Sequence, residues 1–307
     1  MKTYDVLIIG EINPDLIVQG DDIIPEFNQT EKLVETANLT IGASSVIMAC
    51  GAARLGLRVA FVGLVGNDFF GHFMLDQMQS RGIDISACVL DDGLSTGISI
   101  ILAHAHDRAI LTCPGSIPHL KKEHIRMDLF EKASHLHVGG FFLLNDLRPD
   151  LAQLFKQARQ SGLTTSLDTN WDPQEKWQVT DVLPNCDIFF PNENELLRIT
   201  GSNTVEMGLE SLSKVIPIIA VKQGERGATA QYQQARFTSP ALNVQVVDTV
   251  GAGDSFDAGF IYGYLNGLPM QKTLDIACAC GSLSTRSAGG TAGQASLEDL
   301  RSAGIDV

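Results

Sequence analysis

Apolar and polar positions along this chain follow two rhythms. Short apolar runs bounded by glycine or polar residues predict buried strands at Asp5–Gly10, Val59–Val65, Leu136–Val138, Leu163–Leu167, Ile188–Phe190 and Ile216–Val221. Between them, apolar residues three and four apart predict helices over Ser44–Leu55, Phe69–Ser80, Leu147–Gln160, Glu193–Thr200 and Val205–Lys214. Strands alternating with helices imply a mostly parallel sheet covered on both faces, an α/β architecture of three layers. Two stretches break the alternation. In 11–36, Asn13 and Asp15 alternate with Ile12 and Leu16 along an extended segment, and Lys32–Thr36 is expected to pair back. In 95–112, Ser95–Ala103 and Ala109–Thr112 flank a turn at His104–Arg108, a hairpin pattern. The C-terminal stretch reads as helical and rich in small residues, interrupted at Ala288-Gly289-Gly290.

Composition narrows the picture. The chain has 307 residues, 44% of them apolar, which is enough for one sizeable core and a single domain over 1–307. The formal net charge of −14 argues against nucleic acid or an anionic membrane as partner. A nucleotide would have to be held by backbone dipoles and a few placed cations. No run of 18 apolar residues suggests a membrane span, and Met1–Asp5 leads straight into a strand too short for a signal-peptide core. The six cysteines include no CxxC pair, so reduced cysteines and a cytoplasmic location are expected.

The candidate chemistry centres on Asp248-Thr249-Val250-Gly251-Ala252-Gly253-Asp254, after a strand-like run Val244–Val247 and before an apolar helical segment, Phe256–Leu265. A glycine turn opening a helix presents free N–H groups at the positive end of the helix dipole, a ready anion site. With a carboxylate beside it, the turn suits phosphoryl transfer to a hydroxyl: Gly251, Ala252 and Gly253 would steady charge on the moving group and Asp254 would take the hydroxyl proton. Taken alone, Asp254 reads first as a first-turn acid stabilised by the dipole. No Gly-Lys-Ser/Thr follows, and Phe256 stands where a dinucleotide fingerprint needs its third glycine. Asn192-x-x-Glu195 puts two oxygen-bearing side chains on one side of a helical turn, which fits a hard cation or a capping box. Asp168 and Asn170 end a strand at the edge where open α/β sheets bind ligands; they also fit a polar cap, with Asp172-Pro173 opening a further helix. His104 with His106, and His135 with His137, form HxH pairs with no completing ligand cluster, so a metal is not expected there. His137 is a candidate for lining the cleft. Lys222-Gln223-Gly224-Glu225-Arg226-Gly227 is a hairpin signal with a candidate phosphate-facing cation, Lys222.

Taken together, these stretches resemble the PfkB (ribokinase-like) carbohydrate kinases, in family order from Gly10 to Gly290. The Asp248-Thr249-x-Gly251-Ala252-Gly253-Asp254 run, continued by Asp257-Ala258-Gly259-Phe260, is similar to the family's C-terminal motif, and Gly10-x-x-Asn13-x-Asp15 to its N-terminal one. The resemblance implies a ribokinase-like fold with a small β lid made by 11–36 and 95–112. It also implies transfer of the γ-phosphoryl group of ATP·Mg²⁺ to a hydroxyl of a monosaccharide or related polyol. Asn13, Asp15 and Gly42 would then hold substrate. Asp168, Asn170, Asn192, Glu195 and Lys222 would face phosphates and Mg²⁺ (Asn192 and Glu195 through water), and Gly224 and Gly227 would border the nucleotide. Arg108 falls where the family places a lid residue, and Asp248 where many relatives hold a monovalent cation such as K⁺. Ile41-Gly42-Ala43-Ser44-Ser45-Val46-Ile47 departs from the family's substrate motif twice. Ala43 replaces a glycine, and Ile47 replaces an asparagine, which disfavours a hydroxyl opposite it. A homodimer through the lid is expected by the same resemblance. A nucleoside kinase of this family, with Phe27 as base platform, and a sugar-binding regulator without catalysis are the alternatives.

Overall fold

The computed structural model describes residues 2–104, 107–179 and 181–307, with the side chains of residues 104, 107 and 108 outside that description. In chain order the strands are β1 (Tyr4–Ile9), β2 (Pro14–Gln19), β3 (Thr36–Ile41), β4 (Val59–Val62), β5 (Leu64–Gly66), β6 (Val89–Asp91), β7 (Ile98–His104), β8 (Asp107–Cys113), β9 (Ala133–Val138), β10 (Thr164–Leu167), β11 (Ile188–Phe189), β12 (Ile218–Lys222), β13 (Ala228–Tyr232) and β14 (Ala235–Ser239). The helices are α1 (Ser44–Arg54), α2 (Phe69–Ser80), α3 (Leu129–Lys132), α4 (Leu151–Gln160), α5 (Glu193–Thr200), α6 (Val205–Leu212), α7 (Ala252–Leu265), α8 (Met270–Ser284) and α9 (Leu297–Ser302).

The main sheet runs β14-β13-β12-β11-β10-β9-β1-β4, parallel from β12 to β4 and antiparallel at the β13–β14 end. Period-two alternation sorts each strand between two apolar layers. Leu7, Ile9, Leu136, Val138 and Leu167 face one layer with Leu154 and Phe155 of α4 and Leu196 of α5. Val6, Ile8, Phe61, Ile188 and Ala220 face the other with α1, α2, α7 and α8. Because it is sandwiched between sheet and α8, α7 is buried almost all round, which is why its sequence is apolar rather than striped. A second sheet, β3-β2-β7-β8, comes from the two excursions that break the alternation.

Several elements differ from expectation. The return strand of the first excursion is Thr36–Ile41, not Lys32–Thr36, so β2 pairs with a segment that runs on into Gly42. Val59–Val65 is two strands. A Cβ at Gly63 would meet Ile12 Cδ1 at 2.5 Å and Gly10 O at 2.9 Å, so the chain steps aside there and β5 pairs with β6 instead. Pro149 lies in a 3₁₀ turn, Arg148–Asp150, ahead of α4. No helix follows Asp172-Pro173: the Asp172 carboxylate accepts N–H groups of Gln174, Lys176 and Trp177, which folds the backbone into a turn. Val244–Val247 is not a strand. The N–H groups of Val247 and Asp248 both donate to Thr285 O, and Val246 and Val247 are exposed. α7 begins at Ala252 rather than Phe256, so Gly253 and Asp254 lie within its first turn.

Candidate active site

The motif residues converge at the C-terminal edge of the parallel strands. Gly251 takes φ +74°, a left-handed conformation that a side chain disfavours, and turns the chain into α7. The Ala252 N–H is engaged by Thr249 O at 3.3 Å. Among the described residues, the N–H groups of Gly253 and Asp254 make no backbone hydrogen bond, so the open anion-facing pair is Gly253–Asp254, two residues after Gly251–Ala252.

Beneath this turn lies a charge network that local pattern does not disclose. Lys222, at the end of β12, has its side chain 13% exposed, with Nζ 2.7 Å from Asp168 Oδ2 and 3.2 Å from Asp257 Oδ1. A Cβ on Gly253 would lie 3.5 Å from that ammonium. Burial disfavours the Lys222 charge, yet Asp168 and Asp257 raise its pKa above the ordinary lysine value. Burial would also raise Asp168, but Lys222 and hydrogen bonds hold it below the ordinary carboxylate range. Asp254 is 8% exposed, and burial, then the Asp168 charge, push its carboxyl well above that range, with Lys222 opposing. Asp257 is raised too, chiefly by burial. A carboxyl raised in this way accepts a proton more readily than an ordinary carboxylate, the property a general base needs.

Asn192 and Glu195 form a capping box. Asn192 Oδ1 accepts the Glu195 N–H at 2.9 Å and Glu195 Oε2 accepts the Asn192 N–H at 2.8 Å. Glu195 is buried, and burial with the Asp168 charge raises it to about 7. Beside this cap, Asn192, Glu193, Asn194, Lys222, Gln223, Gly224 and Arg226 line a cavity of about 450 Å³. Gly224 and Gly227 both take positive φ. Asn170, at φ +53°, donates its N–H to Asp168 Oδ1. Asp248 ties two loops together: Oδ1 accepts from Val250 N–H and Oδ2 from Gly289 N–H, each at 2.9 Å.

At the other end of the edge, Asn13 and Asp15 are buried side by side where β1 gives way to the second sheet. Asn13 Nδ2 donates to Asp15 Oδ1 at 3.4 Å and to Ser99 Oγ on β7 at 3.3 Å. A Cβ on Gly42 would fall 2.1 Å from Asp15 Oδ1, so only glycine lets the loop before α1 approach this pair. Ile47 is 3% exposed. Its methyl groups fill the space where side chains on Gly251 and Gly290 would stand, so it supports the anion turn from below. His137 is 1% exposed, inside the layer under α7, with Nδ1 2.8 Å from Ser166 Oγ; it lines no open cleft. His135 meets Ser166 and Thr164, and burial depresses both rings, His135 to about 3 and His137 to about 4. His106 and the side chains of His104 and Arg108 lie outside the described part of the structure. Among the described residues, no group of three or more His, Cys, Asp or Glu is arranged to hold a metal ion, and no helix is long and apolar enough to cross a membrane.

Sequence reasoning missed Glu11 and Gln294. Buried Glu11 accepts the Ser45 N–H at 3.1 Å and the Ser45 O–H at 2.6 Å, capping α1 from the end of β1. Gln294 Nε2 donates to Ile47 O at 2.7 Å and Ser255 Oγ at 3.2 Å, joining α1 to α7. An acid directly after the strand-ending glycine was the visible signal for Glu11; none marked Gln294.

Known proteins resemble this chain in sequence and fold. The model of the pfkB family carbohydrate kinases matches residues 4–297. A 2-dehydro-3-deoxygluconokinase of Bacillus subtilis (strain 168) is 30% identical over 292 residues, 88% of each chain. A probable sugar kinase from Rhizobium etli CFN 42 superposes with a TM-score of 0.89 at 25% identity, over the whole of both chains. A putative ribokinase II from E. coli in complex with ATP and Mg²⁺ superposes with a TM-score of 0.86 at 21% identity, over 98% of both, which speaks for the fold, a ribokinase-like one.

Proposed function

Because this chain belongs to the PfkB family of carbohydrate kinases, phosphotransferases that use an alcohol group as acceptor, we propose that it transfers the γ-phosphoryl group of ATP to a hydroxyl of a monosaccharide or related polyol, with Asp254 as general base. The observation that carries this reading is the pairing of a buried carboxyl of raised pKa with open N–H groups on one helical turn. Asp254 would take the proton from the acceptor hydroxyl as its oxygen attacks phosphorus. The open N–H groups of Gly253 and Asp254, presented by the Gly251 turn, would hold charge on the group in flight. Asn13 and Asp15, with Gly42 admitting the loop beside them, would bind the acceptor.

The cavity beside Lys222, Gly224 and Asn192 has the size to take a nucleotide's phosphates, and Lys222 and Arg226 put two cations in its lining. Mg²⁺ fits as a guest of those phosphates. Glu195 offers a carboxylate with one oxygen spent on its cap, and no all-protein cage exists among the described residues, which suits an ion that keeps its waters. Bound there, Mg²⁺ would neutralise phosphate charge. Asp168 and Asn170 would face the same region. A monovalent cation beside Asp248, held by carbonyls of the two loops that it joins, is the corresponding proposal for K⁺. The second sheet would close over the acceptor as a lid and pair with that of another copy.

The test is ADP release with ATP and Mg²⁺ across a panel of ketoses, aldoses, sugar acids, polyols, phosphosugars and nucleosides. Asp254→Asn should lower kcat by roughly 10²–10⁴-fold while nucleotide still binds. Unchanged turnover in that variant would sink the assignment. Turnover on nucleosides alone would favour the nucleoside-kinase alternative, and ligand binding without ADP would favour a regulator.

A further inference from the structure

The cavity beside α5 is lined by two cations, and they differ in how they are held. Lys222 is largely covered and fixed by Asp168 and Asp257. Arg226 stands at the mouth with its side chain 62% exposed, and its Nη2 is paired with Glu193 Oε2, a carboxylate from the first residue of α5. A pair this exposed contributes little to stability and exchanges partners readily. In a chain of net charge −14, Arg226 is thus the one cation of this lining free to change its partner.

We propose that Glu193 is a built-in stand-in for phosphate: it holds Arg226 while the cavity is empty, and Arg226 passes to a phosphate oxygen when ATP enters. The inference rests on the reading that this cavity takes the phosphates of ATP. A guanidinium fork matches phosphate geometry and bonds it more strongly than a lone point charge does. Multiply charged phosphates outcompete one solvated carboxylate, and once Arg226 leaves, Glu193 faces them as a like charge. The two residues therefore set nucleotide affinity with opposite signs: Arg226 raises it and Glu193 lowers it. The exchange would keep stray anions from the mouth of an empty site while leaving the fold untouched.

Calorimetric binding of ATP and of adenosine at fixed Mg²⁺, without acceptor, tests this. Arg226→Gln should weaken ATP about five- to tenfold, the share of one charged hydrogen bond at an exposed site. Glu193→Gln should tighten ATP about two- to fivefold, the release of one competing surface pair. Adenosine, which lacks phosphate, should bind both variants as it binds the wild type. Weakening of ATP by both substitutions would show a structural pair or a metal-linked Glu193 and overturn the exchange. A matching change for adenosine would overturn it as well. Wild-type protein that binds adenosine but not ATP would remove the nucleotide reading itself. Wild-type protein that binds ATP, with both variants unchanged, would remove the exchange alone.

Discussion

At the residue scale, Gly42 decides whether the proposed acceptor pocket can form. Its Cα faces Asp15 so closely that a methyl group would sit 2.1 Å from Oδ1, and relief means moving the carboxylate or the loop. Gly42→Ala should raise the KM for the acceptor at least tenfold, the cost of misplacing one binding carboxylate. The KM for ATP, whose proposed cavity lies at the far end of the edge, should stay put. An equal rise in both constants would mean that the substitution damages the fold rather than the acceptor pocket. The same scale shows what sequence discloses. Asn13, Asp15, Gly42, Asp168, Asn192, Glu195 and Asp254 could be found because each sits at a strand end or helix start, where residue type and backbone are locally linked. The tie from Lys222 to Asp168 and Asp257 could not, since it joins residues 54 and 35 positions apart. Ile47 was legible as a departure, but its contact with Gly251 and Gly290 depends on how α1 meets α7.

Among the described residues, Ala109–Cys113 of β8 are left uncovered. β8 is an edge strand of the second sheet, and Ala109, Ile110, Leu111, Thr112 and Cys113 are all exposed, Ile110 by 52% and Leu111 by 60%. Successive side chains point to opposite faces, so neither face of β8 is covered. An open apolar edge is a template for pairing. The lid-mediated homodimer proposed above would cover it, and Leu111→Asp should then yield monomer by light scattering with the Tm little changed. A wild-type mass of one chain would remove the dimer. Elements were legible where period and boundary agree, as in α2 or β12. They were misread where a tertiary contact breaks the run, as at Gly63, or where β-branched residues stay out of any ladder, as at Val244–Val247.

For the molecule as a whole, the acid limb of stability should belong to the two histidines of β9. Both are buried and neutral, with folded pKa values of about 3 and about 4 against an ordinary value of 6.5. A base depressed in the folded state stabilises fully above its unfolded pKa, and that stability is lost as pH falls from about 6.5 through the folded value. On the order of a few kcal/mol should disappear between pH 6.5 and 4. His137→Asn should flatten the decline of Tm with acid by about one proton's slope. An unaltered slope would assign it to the carboxylates. The sheet order has a temporal consequence too. β1 lies between β9 and β4 and is synthesised before both, so it waits for both neighbours. The second of them, β9, ends only at Val138. At ordinary synthesis rates Val6-Leu7-Ile8-Ile9 stays unpaired on one side for on the order of ten seconds. That makes the nascent chain, rather than the finished protein, the form most in need of a chaperone.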